Sequence, residues 1–592
     1  MKQFFISLLA TITGIFISIL LFFFIGIAIL AFMLNTTKNK SVDVLPHSIL
    51  HIQIDYPIKD RSSGNPLTHF DFGTMTPKTQ LGLYEILQCV EKAKNDSNIR
   101  GIYLDMSFIP TGYATMQELR NALLDFKKDG KFIVSYSEMY TTGAYYLASA
   151  GDMIYLHPRG FLFFSGLQGK AAYFKGLMEK AGIEAQVFLG KENIYKSATE
   201  IFTRDKMSEE SRLQAMNYSQ AIWNNMLKEI SAERGISVSN LNAYANSMRL
   251  VAHEGLISNG LIDGFMYKDE LIDDLKALSG LGEKEKWRTI KIERYYYSTK
   301  KAVKTKKDKI ALIFASGEMV PGKSGEDENR MGADDISAMI RKARKDSMVR
   351  AIVLRINSGG GSALAADIIW REVSLAAATK PVVASFGDVA GSGAYYMATP
   401  ASLIVAQPNS LTGSIGVFGI LFNVRKLFND KLGITFDGIK TNTYADLFSI
   451  DRPLNEGEKA LFDETIQNTY ETFISRVASG RRISNEQVHT IARGRVWDAV
   501  SAKDTGLIDT LGSLQTAIAI AAEKAGITEY SIDELPKQKT FTSELLKNFA
   551  ENVSMQLLNK LHSEIYENYR RIKYFSGMQG IQARMVEEIT FY

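Results

Sequence analysis

The sequence is poor in the residues that mark several common classes of protein. A single cysteine, Cys89, occurs among 592 residues, so disulfide bonds within the chain are excluded. Its surroundings, LQCVEKA, carry no recognisable catalytic signature and are typical of the buried face of a helix. The formal net charge of +4 is small for this length, and we therefore predict no nucleic-acid partner.

Histidines and ligand-binding motifs are also scarce. The chain has seven histidines, and none lies between His253 and His489. The histidines are scattered and the carboxylates show no metal-ligand spacing, which predicts no metal site. The phosphate-binding pattern GxxxxGK followed by Ser or Thr is absent, as is a GxGxxG with the acidic partner of a dinucleotide site. We therefore expect no cofactor.

Only one long apolar run is present, at the N-terminus. No charged residue occurs from Phe4 to Leu34, and about 20 apolar residues suffice to cross a membrane. No convincing small-residue cleavage site precedes Asn35, which favours an uncleaved anchor over residues 1–40, with a cleaved signal as the alternative. Lys2 on one side and Lys38 on the other barely decide its orientation. The rest of the chain should form one body on one side of the membrane.

The chain contains an internal repeat at an offset of 250 residues. EKAKNDSNIRGIYLDMS (91–107) aligns with RKARKDSMVRAIVLRIN (341–357), and SEMYTTGAYYLASA (137–150) aligns with GDVAGSGAYYMATP (387–400). Such agreement over more than a hundred residues indicates a tandem duplication. We place the first copy at 41–297 and the second at 310–534.

Each copy alternates strand and helix patterns, which predicts an α/β layered domain. In the second copy, KIALIFA and AIVLRI are short β-branched runs typical of buried strands, and a helix pattern follows at about 362–378. The basic segment 298–309 is interpreted as a linker. Residues 535–592 lie outside the repeat as a polar, helix-like tail that could serve assembly.

Ser392 is the first candidate for chemistry. It lies between two glycines at a predicted strand-to-helix turn, where free amides and the helix dipole favour negative charge. A serine that only caps the helix would explain the same segment. The glycine-rich loop RINSGGGSA (355–363), which follows a strand, favours the functional interpretation because its backbone could approach a bound peptide. The first copy has DMSFIPTGYA there and Thr142 in place of the serine.

A base for Ser392 is suggested by comparing the two copies. Lys196 of the first copy aligns with Ala445 of the second. One copy thus retains a lysine without the serine, and the other retains the serine without the lysine. This reciprocal loss is what a single composite site per pair of domains would leave. A buried lysine with a lowered pKa can act as a general base, although a surface lysine is the alternative.

The motifs resemble those of signal peptide peptidase A (protease IV), in its long, duplicated bacterial form. The resemblance covers roughly residues 45–530 and rests on INSGGGS, AGSGAYYMA, LTGSIGVFG and YKSATEIFTRDKMS. It implies a Clp protease/crotonase-like fold in each copy. It also implies Ser392 as nucleophile, Lys196 as general base, and Ser414 as the residue that holds the lysine.

The resemblance also implies an oxyanion hole, a substrate class and a location. The hole would comprise Gly361 and the amide of Gly393, with Gly360 as the adjacent candidate; Gly359 replaces the usual proline and leaves the donor open. Expected substrates are signal peptide remnants and other apolar peptides. A homo-tetramer in the bacterial inner (cytoplasmic) membrane, with its catalytic body in the periplasm, is also expected.

Two other functions are compatible with this fold. An acyl-CoA-processing enzyme of the crotonase type would use an oxyanion hole without a Ser-Lys pair. A catalytically inactive scaffold is the other, because the first copy has already lost its serine. A large separation between Lys196 and Ser392 would favour either of them.

Overall fold

The architecture is known from a computed structural model. It describes residues 2–38, 43–63, 70–71, 76–77, 79–247, 255–298, 306–325, 327, 329–537, 580–585 and 590–591. Most of the predicted linker and of the helix-like tail lies outside the described residues.

The N-terminal segment forms one helix, α1 (Lys2–Lys38). Its apolar side chains are exposed where they are described, as at Phe4, Phe16 and Phe22. Among the described residues, no helix is both long and apolar enough to cross a membrane. The predicted transmembrane anchor is therefore not confirmed.

The first copy is built on a six-stranded parallel sheet with the order β10-β1-β4-β5-β6-β9. Its strands are β1 (Ser48–Ile52), β2 (Phe70–Asp71), β3 (Thr76–Pro77), β4 (Ile99–Asp105), β5 (Phe132–Tyr140), β6 (Met153–Leu162), β7 (Gly169–Lys170), β8 (Glu184–Leu189), β9 (Gly264–Phe265) and β10 (Thr289–Lys291). Its helices are α2 (Leu83–Asn95), α3 (Tyr113–Lys127), α4 (Thr142–Ala148), α5 (Lys175–Ala181), α6 (Glu200–Thr203), α7 (Glu209–Arg234), α8 (Val238–Asn246), α9 (Lys268–Ser279) and α10 (Ile292–Tyr297), with a 3₁₀ turn at Ser197–Thr199.

The second copy has a larger sheet with the order β20-β18-β16-β14-β11-β22. Outside this order, β17 pairs with β16, and β21 pairs with β17. The strands from here on are β11 (Lys309–Ser316), β12 (Glu318–Val320), β13 (Arg330–Gly332), β14 (Val349–Ser358), β15 (Gly360–Ser362), β16 (Val382–Gly391), β17 (Leu403–Ala406), β18 (Leu411–Gly413), β19 (Phe418–Asn423), β20 (Val496–Asp498), β21 (Thr510–Leu511), β22 (Ser531–Leu535), β23 (Gly580–Arg584) and β24 (Thr590–Phe591). The helices are α11 (Ala333–Lys345), α12 (Ala363–Ala377), α13 (Gly393–Ala398), α14 (Glu456–Arg481), α15 (Asn485–Ile491), α16 (Ala499–Asp504) and α17 (Leu514–Ala525), with a π-helix at Leu427–Leu432.

The predicted α/β class is confirmed, and the elements recur at the offset of the sequence repeat. The pairs β4 and β14, β5 and β16, α2 and α11, and α3 and α12 each begin 250 residues apart. Each copy buries its own hydrophobic core, around Phe126 and Tyr145 in the first and around Phe386 and Tyr395 in the second. The near-continuous apolar runs of these strands follow from burial of both faces of a parallel sheet.

A third sheet joins the two copies. Its order is β13-β12-β15-β23-β19-β8, so that β8 of the first copy pairs antiparallel with β19 of the second. The strand β23, which comes from the C-terminal tail, lies between β15 and β19. Residues from both copies and from the tail therefore meet around the C-terminal ends of the central strands, where ligands bind in open α/β sheets.

Candidate active site

Ser392 lies at the junction of β16 and α13. Its backbone has φ 53° and ψ −116°, a strained conformation for a residue with a side chain. Two contacts hold this turn: the Ser392 amide donates to the Gly413 carbonyl over 2.8 Å, and the Tyr396 amide donates to the Ser392 carbonyl over 2.8 Å. The turn places the hydroxyl at the start of α13, next to the amide of Gly393.

Lys196 comes from the first copy and reaches Ser392 of the second. Its Nζ lies 2.7 Å from Ser392 Oγ, 2.9 Å from the Ser414 carbonyl oxygen and 3.0 Å from Ser414 Oγ. All three residues are buried, and Lys196 is only 3% exposed. The structure thus brings together the serine and the lysine that the two copies retain separately, along with the predicted third residue, Ser414.

Burial lowers the pKa of Lys196 well below its usual value, and the positive charge of Arg584 lowers it further. A neutral amine has two hydrogens and one lone pair. If the hydrogens are donated to the two oxygens of Ser414, the lone pair faces the hydroxyl of Ser392. The surroundings therefore favour an uncharged lysine that can accept a proton from the serine.

The loop that follows β8 and carries Lys196 is held against the second copy by hydrogen bonds that the sequence did not predict. The Tyr195 amide donates to the Arg493 carbonyl over 3.0 Å, and Asn193 Nδ2 donates to the Val417 carbonyl over 2.9 Å. Gln214 donates to the Tyr195 carbonyl over 2.9 Å and accepts from the Val496 amide over 3.1 Å. Such polar contacts between distant segments leave no periodic pattern in a sequence.

The glycine loop lies next to Ser392, as predicted. Gly360 has φ 100° and Gly361 has φ 156°, values that favour glycine. A Cβ at Gly360 would lie 2.8 Å from the amide nitrogen of Gly393, so this loop and the start of α13 are in close approach. The Gly360 amide itself donates to Ser358 Oγ over 3.1 Å. Gly361, whose role as a donor is predicted, lies in β15 beside β23.

Cys89 and metal ligation are not part of this site. Cys89 is buried in α2, where burial raises the pKa of its thiol to about 12. A thiol of this kind is a poor nucleophile. Among the described residues, no group of three or more His, Cys, Asp or Glu side chains is placed to hold a metal ion.

The sequence was also compared with known proteins. It matches peptidase family S49 over residues 125–282 and 374–528, one segment in each copy. Serine protease SPPA, chloroplastic, of Arabidopsis thaliana is 35% identical and covers 80% of this chain and 70% of its own length. Protease 4 of Salmonella typhi is 34% identical, with coverages of 82% and 79%. Protease 4 of Haemophilus influenzae is 31% identical, with coverages of 74% and 72%.

These matches define the class of protein as a serine peptidase with two similar halves. The chain belongs to peptidase family S49, as the motifs predicted. A solved structure of a ClpP1 mutant from Listeria monocytogenes covers 35% of this chain and 94% of its own, at 16% identity and a TM-score of 0.24. That score is too low to bear on the fold, so the Clp protease/crotonase likeness stays a prediction.

Proposed function

We propose that the chain hydrolyses peptide bonds with Ser392 as the nucleophile and Lys196 as the general base. The observation that supports this most directly is the 2.7 Å contact between the buried Nζ and the Ser392 hydroxyl. Neutral Lys196 takes the hydroxyl proton while Ser392 Oγ attacks the peptide carbonyl. The resulting ammonium donates its proton to the departing amine. Lys196 then takes a proton from water, which hydrolyses the acyl-enzyme.

The oxyanion that forms during attack is assigned to the amides of Gly393 and Gly361. The Gly393 amide directly follows the nucleophile and begins α13, and the Gly361 amide lies in the facing strand β15. Preorganised backbone donors at the developing charge are usually the largest single contribution to such catalysis. Gly360 shapes the space between them, and Ser414 positions the lysine.

We also propose that the substrates are apolar peptides bound in extended form, signal peptide remnants among them. A groove of about 940 Å³ next to β15 and β23 supports this, because Leu364, Phe448, Leu461 and Phe462 line it. Such side chains bury apolar residues of a peptide. A peptide that took the place of β23 could pair its backbone with β15 and β19, which β23 occupies in this structure.

Attachment to a membrane through residues 1–40 is a further part of the proposal. It is supported by the uncharged run from Phe4 to Leu34, which is longer than a membrane crossing requires. The homo-tetramer and the periplasmic position of the body, which the family resemblance implies, remain predictions.

The proposal is tested by the rate of cleavage of an apolar fluorogenic peptide by the full chain in detergent. Ser392→Ala and Lys196→Ala should each lower kcat/KM by about 10²–10⁴-fold, the contribution of a positioned acid-base group. Thr142→Ala, at the equivalent position in the first copy, is the matched control and should keep the wild-type rate. Near-normal activity of Lys196→Ala would show that another group serves as the base.

A further inference from the structure

Two segments from different copies carry the amine of the proposed site and the residue that holds it. The loop after β8 carries Lys196, and Ser414 directly follows β18. Lys196 Nζ contacts both oxygens of Ser414. The direction of the amine toward Ser392 therefore depends on the separation of these two segments.

The side chain of Gln214, in α7, lies between the loop that carries Lys196 and the second copy. Its Nε2 donates over 2.9 Å to the carbonyl of Tyr195, which belongs to the peptide unit that enters Lys196. Its Oε1 accepts from the Val496 amide over 3.1 Å. The opposite orientation of the side-chain amide would face donor to donor and acceptor to acceptor, so the two partners fix it. Gln214 is 4% exposed, so solvent does not compete for these contacts.

The Val496 end of this bridge leads directly to Ser414. The Val496 amide and the Arg495 carbonyl belong to one peptide unit, and that carbonyl accepts from the Ser414 amide over 2.6 Å. A line of hydrogen bonds thus runs from the backbone before Lys196, through Gln214 and this peptide unit, to the backbone of Ser414. Hydrogen bonds in such a chain polarise one another in a protein interior. The bridge therefore sets the spacing of the two segments.

Packing does little to hold the lysine on the side of Gln214. A cavity of about 20 Å³ lies next to Lys196, and Gln214, Tyr218 and Ser414 are among the residues that line it. A cavity of this size has room for about one water molecule. Side chains on opposite sides of such a space do not gain dispersion energy from each other. Hydrogen bonds, more than packing, thus hold the loop here.

The second copy has a leucine at the position that corresponds to Gln214. The helices α7 and α14 each have 26 residues, and Gln214 and Leu461 are each the sixth residue of their helix. Leucine can make neither hydrogen bond, and the same copy has Ala445 in place of the lysine. A bridging glutamine thus occurs in the copy that has the lysine and not in the copy that lacks it, which fits a role tied to the lysine.

We propose that Gln214 is a positioning residue of the Ser392–Lys196 site, which aligns the lysine by holding its loop at a fixed distance from Ser414. The inference rests on the proposed function, because the alignment matters only if the lysine is the base. Without the two hydrogen bonds the loop is free to shift toward the cavity, and Nζ then no longer meets both serines. A misplacement of about 1 Å costs on the order of 10²-fold in rate.

The test compares Gln214→Met with Gln220→Met in the full chain in detergent, with the apolar fluorogenic peptide as substrate. Methionine has nearly the volume of glutamine but makes neither hydrogen bond. Gln220 lies in the same helix, is exposed and donates to Asn224, so its variant is the matched control. Gln214→Met should lower kcat by about 10²-fold. It should leave KM nearly unchanged, because Gln214 lines the small cavity and not the groove next to β15 and β23. Equal kcat values in the two variants would overturn the inference.

The pH profile separates positioning from a general loss of structure. Burial and the charge of Arg584 lower the pKa of Lys196. A loosened loop admits water, which moves the pKa of the lysine back toward its usual value. The midpoint of kcat/KM against pH should therefore lie higher in Gln214→Met than in wild type. Partial unfolding would lower the rate at every pH without moving the midpoint, and an unchanged midpoint would overturn the inference.

Gln214→Glu is a second variant, which keeps the shape of the side chain if methionine disturbs the fold. A carboxylate that lines the same cavity as Lys196 favours the ammonium, so the midpoint should again rise. A wild-type midpoint in this variant would also overturn the inference, and the proposed function would stand as long as Lys196→Ala is inactive. If Lys196→Ala cuts the peptide at the wild-type rate, the proposed function is wrong and the inference fails with it.

Discussion

At the scale of single residues, the proposed site depends on the protonation state of one amine. Lys196 is enclosed in the interior, and no acidic side chain is among the causes that set its pKa. Burial disfavours the ammonium, and the nearby guanidinium of Arg584 disfavours it further. The two oxygens of Ser414 can bind the amine in either state, so the site tolerates the charge that the proposed mechanism places on Lys196.

The first prediction concerns the pH dependence of peptide cleavage. Only the neutral form of Lys196 can act as base, so kcat/KM should rise with pH with a slope of about one on logarithmic axes. It should level off well below pH 10.5, because burial lowers the pKa of Lys196 from that value. A buffer series with a fluorogenic peptide measures this. A midpoint near 10.5 would mean that the lysine is solvated in the working enzyme.

The second prediction concerns stability. The folded-state pKa of Lys196 is lower than its unfolded-state value, so the unfolded chain binds more protons and the free energy of unfolding rises with pH up to about 10.5. Lys196→Met removes the loss of stability that comes from burying an ionisable lysine, and the Tm of this variant should exceed that of wild type at pH 7. The difference should shrink as the pH approaches 10.5. Calorimetry at both pH values checks this, and an equal Tm difference at both would contradict it.

At the scale of elements, the site is made where short strands and turns meet. The turn from β16 into α13 presents the serine, β15 presents the glycine amides, and the loop after β8 presents the lysine. These connections are held by hydrogen bonds between backbone groups, as between Ser392 and Gly413. Groups fixed in this way need little reorganisation when charge develops.

The third prediction concerns Gly360. Alanine there would be strained at φ 100°, and its Cβ would fill the space of a bound carbonyl oxygen. We expect Gly360→Ala to lower kcat/KM by about 10²–10³-fold, the effect of losing an oxyanion donor. Gly506→Ala is the matched control, because φ is 79° and no atom lies within 4 Å of its Cβ position. An equal loss of kcat/KM in both variants would indicate that backbone strain alone is the cause.

Many of the strands and helices, and part of the candidate site, were predictable from the sequence. The β-branched runs predicted β11 and β14, and the helix predicted at about 362–378 is α12 (Ala363–Ala377). The strand-to-helix turn and the glycine loop singled out Ser392, and the reciprocal losses of the two copies singled out Lys196; the structure brings the two into contact over 2.7 Å. The strand β23 was missed because GIQAR is short and has no counterpart in the repeat. Its place depends on pairing with distant β15 and β19, which local patterns do not encode.

At the scale of the whole molecule, the composite site requires the two copies to keep a fixed position relative to each other. Arg355 of the second copy is buried and donates to Asp60 over 2.7 Å and to Glu118 over 2.6 Å, both in the first copy. Burial alone would lower the pKa of Arg355, but the charges of Glu118 and Asp60 raise it. Asp388 accepts from the Thr115 amide over 2.9 Å at the start of α3. These contacts fix the serine copy to the lysine copy.

The fourth prediction tests this connection. Arg355→Met leaves two buried carboxylates without their cation, and breaking a buried ion network costs about 3–5 kcal/mol. The free energy of unfolding in urea should fall by that amount. The control is Arg341→Met, whose side chain is 49% exposed and pairs with Glu372 within one copy. It should change stability by no more than about 1 kcal/mol. Similar losses of unfolding free energy in both variants would contradict the role of Arg355 in joining the two copies.

The most direct test of the account is to trap the acyl-enzyme and locate it. Wild type and Lys196→Met are mixed with an apolar peptide p-nitrophenyl ester, quenched with acid, and mapped by mass spectrometry. We predict one acyl group on Ser392 in wild type, formed faster as the pH rises toward a plateau below 10.5, and a much slower reaction in Lys196→Met. Acylation of another residue, or equal rates in the two chains, would contradict the Ser392–Lys196 mechanism.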